Sequence, residues 1–112
     1  MILRSDTIGH FKNPSDHNLE HAFYPQGGTP RYLDIIKLIR SNEEYLAARF
    51  IGHECRCQII HKHKGVQLEC LDLFSLDETV EIFKRYLRND ISWTEGYQWK
   101  KAFGQLVKES LS

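Results

Sequence analysis

Two groups of residues in this chain have the types and spacing that could do chemistry. The first lies along one segment, where His53, Cys55, Cys57, His61 and His63 hold odd positions while Glu54, Arg56, Gln58, Lys62 and Lys64 make the even positions polar, with Ile60 the exception. Such alternation marks a half-buried strand, so all five ligand-type side chains would leave one face. Thiolate with imidazole suits zinc, and a cysteine beside an imidazole base suits nucleophilic catalysis. Spacing weighs against both. Structural zinc sites wrap the ion with Cys-x2-Cys knuckles, whereas i, i+2 residues on a flat strand stand nearly parallel. No third residue that would orient a Cys–His pair occurs at a recognisable place. Packing by Cys55, Cys57 and Cys70 between strand-end histidines is therefore the preferred reading, and no catalytic residue, metal or cofactor is assigned. His17 and His21, four apart on a predicted helix near Asp16 and Glu20, have the spacing of helical zinc pairs. They lack an intervening glutamate base and an obvious third ligand, and read as solvated helix histidines.

The second group is aromatic: Tyr86, Trp93, Tyr97, Trp99 and Phe103. Tyr and Trp combine large apolar area with a polar tip and dominate interface hot spots. Arg85, Arg88, Lys100 and Lys101 would give that surface a positive rim suited to an acidic partner. Tyr86, Arg88, Trp93, Tyr97 and Trp99 are thus the candidate partner-binding residues. Core packing competes with this role and is favoured for Trp93 and Trp99, while Tyr86 and Tyr97 are expected to be exposed.

The elements that must position these residues are legible to different degrees. Ser75 with Glu78 forms a capping box, so a helix should begin at Leu76. Leu76, Val80, Phe83 and Leu87 then recur on one helical face, Ile82 and Tyr86 widen it, and Asn89 tolerates the left-handed conformation that ends helices. A short helix is predicted over 14–23, with Asn13 as cap and Pro14 at its first position. Pro25, Gly27, Gly28 and Pro30 make a loop. Residues 31–51 fit helical and strand periods alike; strands over 31–39 and 44–51 are preferred, turning at Ser41, Asn42 and Glu43. A turn at Lys64–Gly65 would set His63 against Val66, His61 against Leu68 and Ile59 against Cys70. Residues 1–11 are compatible with an edge strand, and Trp99, Phe103 and Leu106 suggest a last helix over 97–110. The expected architecture is one α+β domain over 1–112: an antiparallel sheet of four to five strands with a short N-terminal helix and two C-terminal helices packed on it.

Composition narrows the function. Fifteen basic and fifteen acidic residues cancel, which removes the broad positive field that draws most nucleic-acid binders to phosphate. Nucleic acid is not an expected partner. No apolar run approaches the ~18 residues of a spanning helix, so no membrane is expected either. The first residues lack the apolar stretch of a secretory signal and the cysteines are odd in number, which together predict a cytoplasmic protein with reduced thiols. Near-zero charge also eases self-association, so a homodimer is a further possibility.

The string FKRYLRNDISWTEGYQW, following a predicted sheet, resembles the cytoplasmic immunity proteins of polymorphic toxin systems and related proteins carried on mobile integron gene cassettes. In those a helix ends Tyr-Leu-x-Gly-Asp before x-x-Trp and an aromatic-x-Trp; Tyr86, Leu87, Asp90, Trp93, Tyr97 and Trp99 match, with Asn89 in place of Gly. The segment NPSDHNLEHAF is similar to the short helix such proteins place before the sheet. The resemblance implies a bacterial binding protein without a cofactor that covers a toxin. Nuclease-blocking immunity proteins usually show an acidic face, which the neutral charge and basic C-terminal region here do not suggest. The expectation is a non-enzymatic protein-binding module, possible toxin immunity included, acting through the sheet or the aromatic surface. The alternative is a small-ligand or catalytic domain using the Cys/His face.

Overall fold

A computed structural model describes residues 1–6, 8–24, 34–51, 56–90 and 92–101. They form a seven-stranded antiparallel sheet with two helices, α1 (Asp16–Phe23) and α2 (Leu76–Leu87). The strands are β1 (Ile2–Ser5), β2 (Gly9–Lys12), β3 (Ile35–Ser41), β4 (Glu44–Ile51), β5 (Arg56–His63), β6 (Val66–Phe74) and β7 (Trp99–Lys101), in the order β2-β1-β3-β4-β5-β6-β7. This corrects the expected four to five strands with three helices.

The extra strands come from both ends. The stretch read as one edge strand is a hairpin, because Gly9 at φ 99° starts β2 and Asn13 at φ 49° ends it, with the Asn13 N–H bonded to the Met1 carbonyl at 2.8 Å. At the other end the predicted helix over 97–110 is replaced in its first turn by β7. A 3-10 turn over Ser92–Gly96 precedes it, and the Trp99 indole N–H donates to the Thr94 carbonyl at 3.0 Å. Tyr97 and Trp99 also fit a period of two, and their strand propensity wins where β6 offers an edge to pair with. The remaining positions of that predicted helix, including Phe103 and Leu106, lie outside the described residues, as do His53, Cys55, and the loop prolines and glycines at 25–30.

The central elements follow the sequence. Ser75 and Glu78 exchange both capping-box hydrogen bonds, at 2.9 and 3.2 Å, and Asn89 takes φ 66°. The short helix is capped by Ser15 with Asn18 as reciprocal partner, two residues beyond the expected Asn13. Residues 35–41 and 44–51 are strands. Lys64 and Gly65 both hold positive φ, as a type I′ hairpin turn requires, and His63 pairs with Val66 and His61 with Leu68. Between Gln58 and Ile60 the register shifts, so Cys57 meets Phe74 and the expected Ile59–Cys70 pairing falls in the irregular stretch.

Both helices cover one face of the sheet. Leu3, Ile36, Leu38, Leu46, Ala48, Phe50, Cys57 and Ile59 point to it and are buried beneath Leu19, Phe23, Val80, Ile82, Phe83 and Tyr86. Phe23 stands edge-on to Phe83 at 5.0 Å and tilts against Phe50 at 5.8 Å. Lys84 pairs with Glu20 at 2.6 Å and Arg88 with Asp16 at 2.9 Å, tying the helices to one another.

Candidate functional site

Two regions have unusual chemistry, one on each face. On the face opposite the helices, cross-strand pairing aligns Arg4, Lys12, Lys37, Arg49, Arg56, Lys62 and Lys100 with Ile2, Ile35, Ile39, Ala47, Ile51 and Ile60. Glu69 is the only acidic residue in these registers on that side. No described helix packs there. At its centre Tyr45 lies under two ammonium groups, Lys37 at 4.6 Å and Lys62 at 5.8 Å from the ring, and its hydroxyl donates to Gln67 at 2.7 Å. Lys37, Tyr45, Ala47, Arg49, Ile60 and Gln67 line a hollow of about 260 Å³. Partial burial, then the charges of Arg4 and Lys62, hold the Lys37 ammonium below its ordinary pKa, and burial raises the Tyr45 phenol.

Of the other described acidic residues, Asp6 accepts from the Ile35 N–H beside this face, and Asp16 and Glu20 lie on α1, Asp77, Glu78 and Glu81 on α2, and Glu95 in the 3-10 turn. Net neutrality conceals an excess of cations on the open face, while the helical layer carries both signs, with Lys84, Arg85 and Arg88 beside these carboxylates. Strand alternation puts Arg56, Gln58 and Lys62 on one side of β5, but only the successive pairing of β5 with β4, β4 with β3 and β3 with β1 brings Arg49, Lys37 and Arg4 to the same side. That is why the sequence reading missed this face.

The second region surrounds His61 on the covered face. His61 is 4% exposed, and its ring is packed by Tyr86, Trp93 and Trp99 with centroids 5.7, 5.7 and 6.2 Å away. His63 stacks beside it at 5.5 Å. His61 Nε2, the Tyr86 hydroxyl and Trp93 Nε1 are buried without a hydrogen-bond partner. At the edge of the cluster Glu44 Oε2 lies 3.1 Å from His63 Nδ1, and Glu44 Oε1 accepts from the Lys64 N–H at 3.2 Å. Burial would raise the Glu44 carboxyl, but these hydrogen bonds and the neighbouring imidazoles outweigh it and hold the carboxyl below its usual range. Burial, helped by His63 and opposed by Glu44, lowers the pKa of His61 and favours the neutral ring.

Of the five candidate binding residues, Tyr86, Trp93 and Trp99 converge on this cluster. Tyr86 is 1% exposed, contrary to its expected exposure, because the stripe of α2 centres on Val80, Phe83 and Tyr86; Arg40 stacks on its ring at 4.8 Å and donates to its carbonyl. Trp93 is buried and Trp99 half-buried. Tyr97 and Arg88 lie apart: Tyr97 is half-buried edge-on to Phe74 at 4.9 Å, and Arg88 is exposed but engaged with Asp16. Tyr97 lines a shallow hollow with Glu78, Glu81, Arg85 and Trp93, of mixed rather than positive charge. Cys57 and Cys70 are buried and not joined in a disulfide, and burial pushes the Cys70 thiol up, the opposite of an activated nucleophile. His17 and His21 are exposed on α1.

No helix among the described residues is long and apolar enough to cross a membrane. Comparison of the chain with protein-family models, curated proteins and solved structures finds no match.

Proposed function

We propose that the chain is a non-enzymatic binding module that docks an acidic surface of a protein partner on its open sheet face. The carrying observation is the excess of positive charge on the open face, with Lys37, Arg49 and Lys62 clustered around Tyr45 and a hollow that no described helix covers. Isoleucines between the cations favour a protein over a nucleic acid, since protein interfaces join an apolar floor to polar groups whereas phosphate tracking needs little apolar area. The Lys37 ammonium, held below its ordinary pKa, gains from an opposing carboxylate, which adds affinity and speeds encounter. Like charge also disfavours two copies stacking through this face. The resemblance of residues 83–99 to immunity and cassette-encoded proteins supports the same class of function, with a bacterial toxin as one such partner met in the cytoplasm. On this reading Tyr86, Trp93 and Trp99 hold the scaffold, while Arg88 and Tyr97 lie on a separate surface.

The test is capture from the native host with tagged wild type, a Lys37→Glu/Lys62→Glu variant and an Arg85→Glu/Arg88→Glu variant. The expected result is a stoichiometric protein, retained by the second variant, lost by the first and released by moderate salt. Retention by the open-face variant with loss by the helical one moves the site to the C-terminal surface. Release by nuclease treatment overturns the protein reading.

A further inference from the structure

The cluster at the end of β4 and β5 carries a second, independent function. We propose that Glu44, His61 and His63 bind one divalent transition-metal ion of the zinc, cobalt or nickel class. Each residue offers one ligand atom, and all three atoms lie within 4.8 Å of one another. Tetrahedral zinc with bonds near 2.0–2.2 Å holds its ligand atoms about 3.4 Å apart, and Glu44 Oε2 and His63 Nδ1 are already at 3.1 Å. That 4.8 Å limit exceeds the tetrahedral value by about 1.4 Å.

His61 supplies the independent observation. It is almost wholly buried, yet its Nε2 has no hydrogen-bond partner, an arrangement that normally calls for an explanation such as a bound ion. The i, i+2 histidines of β5 stand nearly parallel, and on their own they could not surround a metal. Glu44 answers that objection because it comes from the neighbouring strand, one residue before Tyr45, which pairs with Lys62. Two imidazoles with one carboxylate select borderline ions over magnesium or calcium, which require oxygen ligands. Tyr86, Trp93 and Trp99 form an apolar wall around His61, while the Glu44 and His63 side chains, 28% and 40% exposed, leave a path for the ion. Three protein ligands leave a fourth position for water or for a group brought by another molecule.

The experiment uses the whole chain, stripped with chelator and titrated calorimetrically with zinc, and in parallel with cobalt(II) followed by its visible absorption. One ion per chain and a low-coordinate cobalt spectrum are expected. Because a buried histidine variant can fail to fold, the deciding substitutions are the half-exposed Glu44→Gln and His63→Gln, each expected to weaken binding by about tenfold or more. His17→Gln/His21→Gln should leave it unchanged. Unaltered affinity in both deciding variants overturns the site, as does the absence of a cobalt spectrum or loss of binding in the helical double variant.

Discussion

The two faces of this sheet are written into the same strands, residue by alternate residue, and they solve opposite problems. On β4, Leu46, Ala48 and Phe50 turn toward the helices and are buried, whereas Tyr45 and Arg49 turn the other way and remain partly exposed. The covered face gains stability by excluding water from apolar area. The open face sets cations side by side, and there partial burial together with Arg4 and Lys62 disfavours the charge of Lys37. A face that only had to be soluble would intersperse both signs; on the proposed reading, concentrating one sign exchanges stability for recognition, as is common at binding sites.

The sharpest way to break this comparison is to remove matched apolar groups from the two faces. Phe83→Ala takes a fully buried ring from its edge contact with Phe23 and is expected to cost about 3–5 kcal/mol in denaturant unfolding. Ile39→Ala, on the opposite side of the sheet and half-buried, is expected to cost about 1 kcal/mol. If Ile39→Ala proves as damaging as Phe83→Ala, the open face is already covered and cannot be a docking surface.

A smaller effect tests what holds the cover in place. Ser75→Ala removes the acceptor for the Glu78 N–H and should destabilise the protein by about 1 kcal/mol. Binding of an acidic partner at saturating protein should be unaltered, because α2 supports the sheet from the far side. Equal loss of affinity in Ser75→Ala would mean that the helical layer, not the open face, meets the partner.

Much of the scaffold was legible because local signals and the fold agree. The capping box at Ser75, the left-handed Asn89 and the Lys64–Gly65 turn each require particular residue chemistry at a particular position, and the sequence supplies it. The ends were not legible. Gly9 begins a second strand within a stretch read as one edge strand, and Trp99 fits a helical and a strand period until β6 presents an edge. The functional groups were half legible. His61 and His63 stand out by alternation, but Glu44 lies in a turn-flanking position and becomes their neighbour only through the β4–β5 pairing. The open face was hidden by arithmetic: a balanced total says nothing of which side of a sheet each charge takes.

The smallest effect has the most diagnostic sign. Lys37→Met should stabilise the isolated protein by on the order of 0.5 kcal/mol, a modest figure because the ammonium is partly solvated and its repulsion screened. The direction follows from linkage. The folded-state pKa of Lys37 lies below the unfolded value, so the folded protein holds its proton less tightly, and at neutral pH the charged lysine costs stability relative to methionine. That advantage of Lys37→Met should persist at neutral pH and fade as pH rises through the folded pKa toward the ordinary lysine value, where wild type loses the charge as well. High salt should shrink it by screening Arg4 and Lys62. The same variant should bind an acidic partner more weakly, so stability and affinity move in opposite directions at one residue. Equilibrium unfolding at neutral and alkaline pH measures the first and calorimetric titration the second. A variant that lost stability at neutral pH would show that Lys37 is held by favourable contacts, and the view of the open face as a strained cluster of cations would have to be given up.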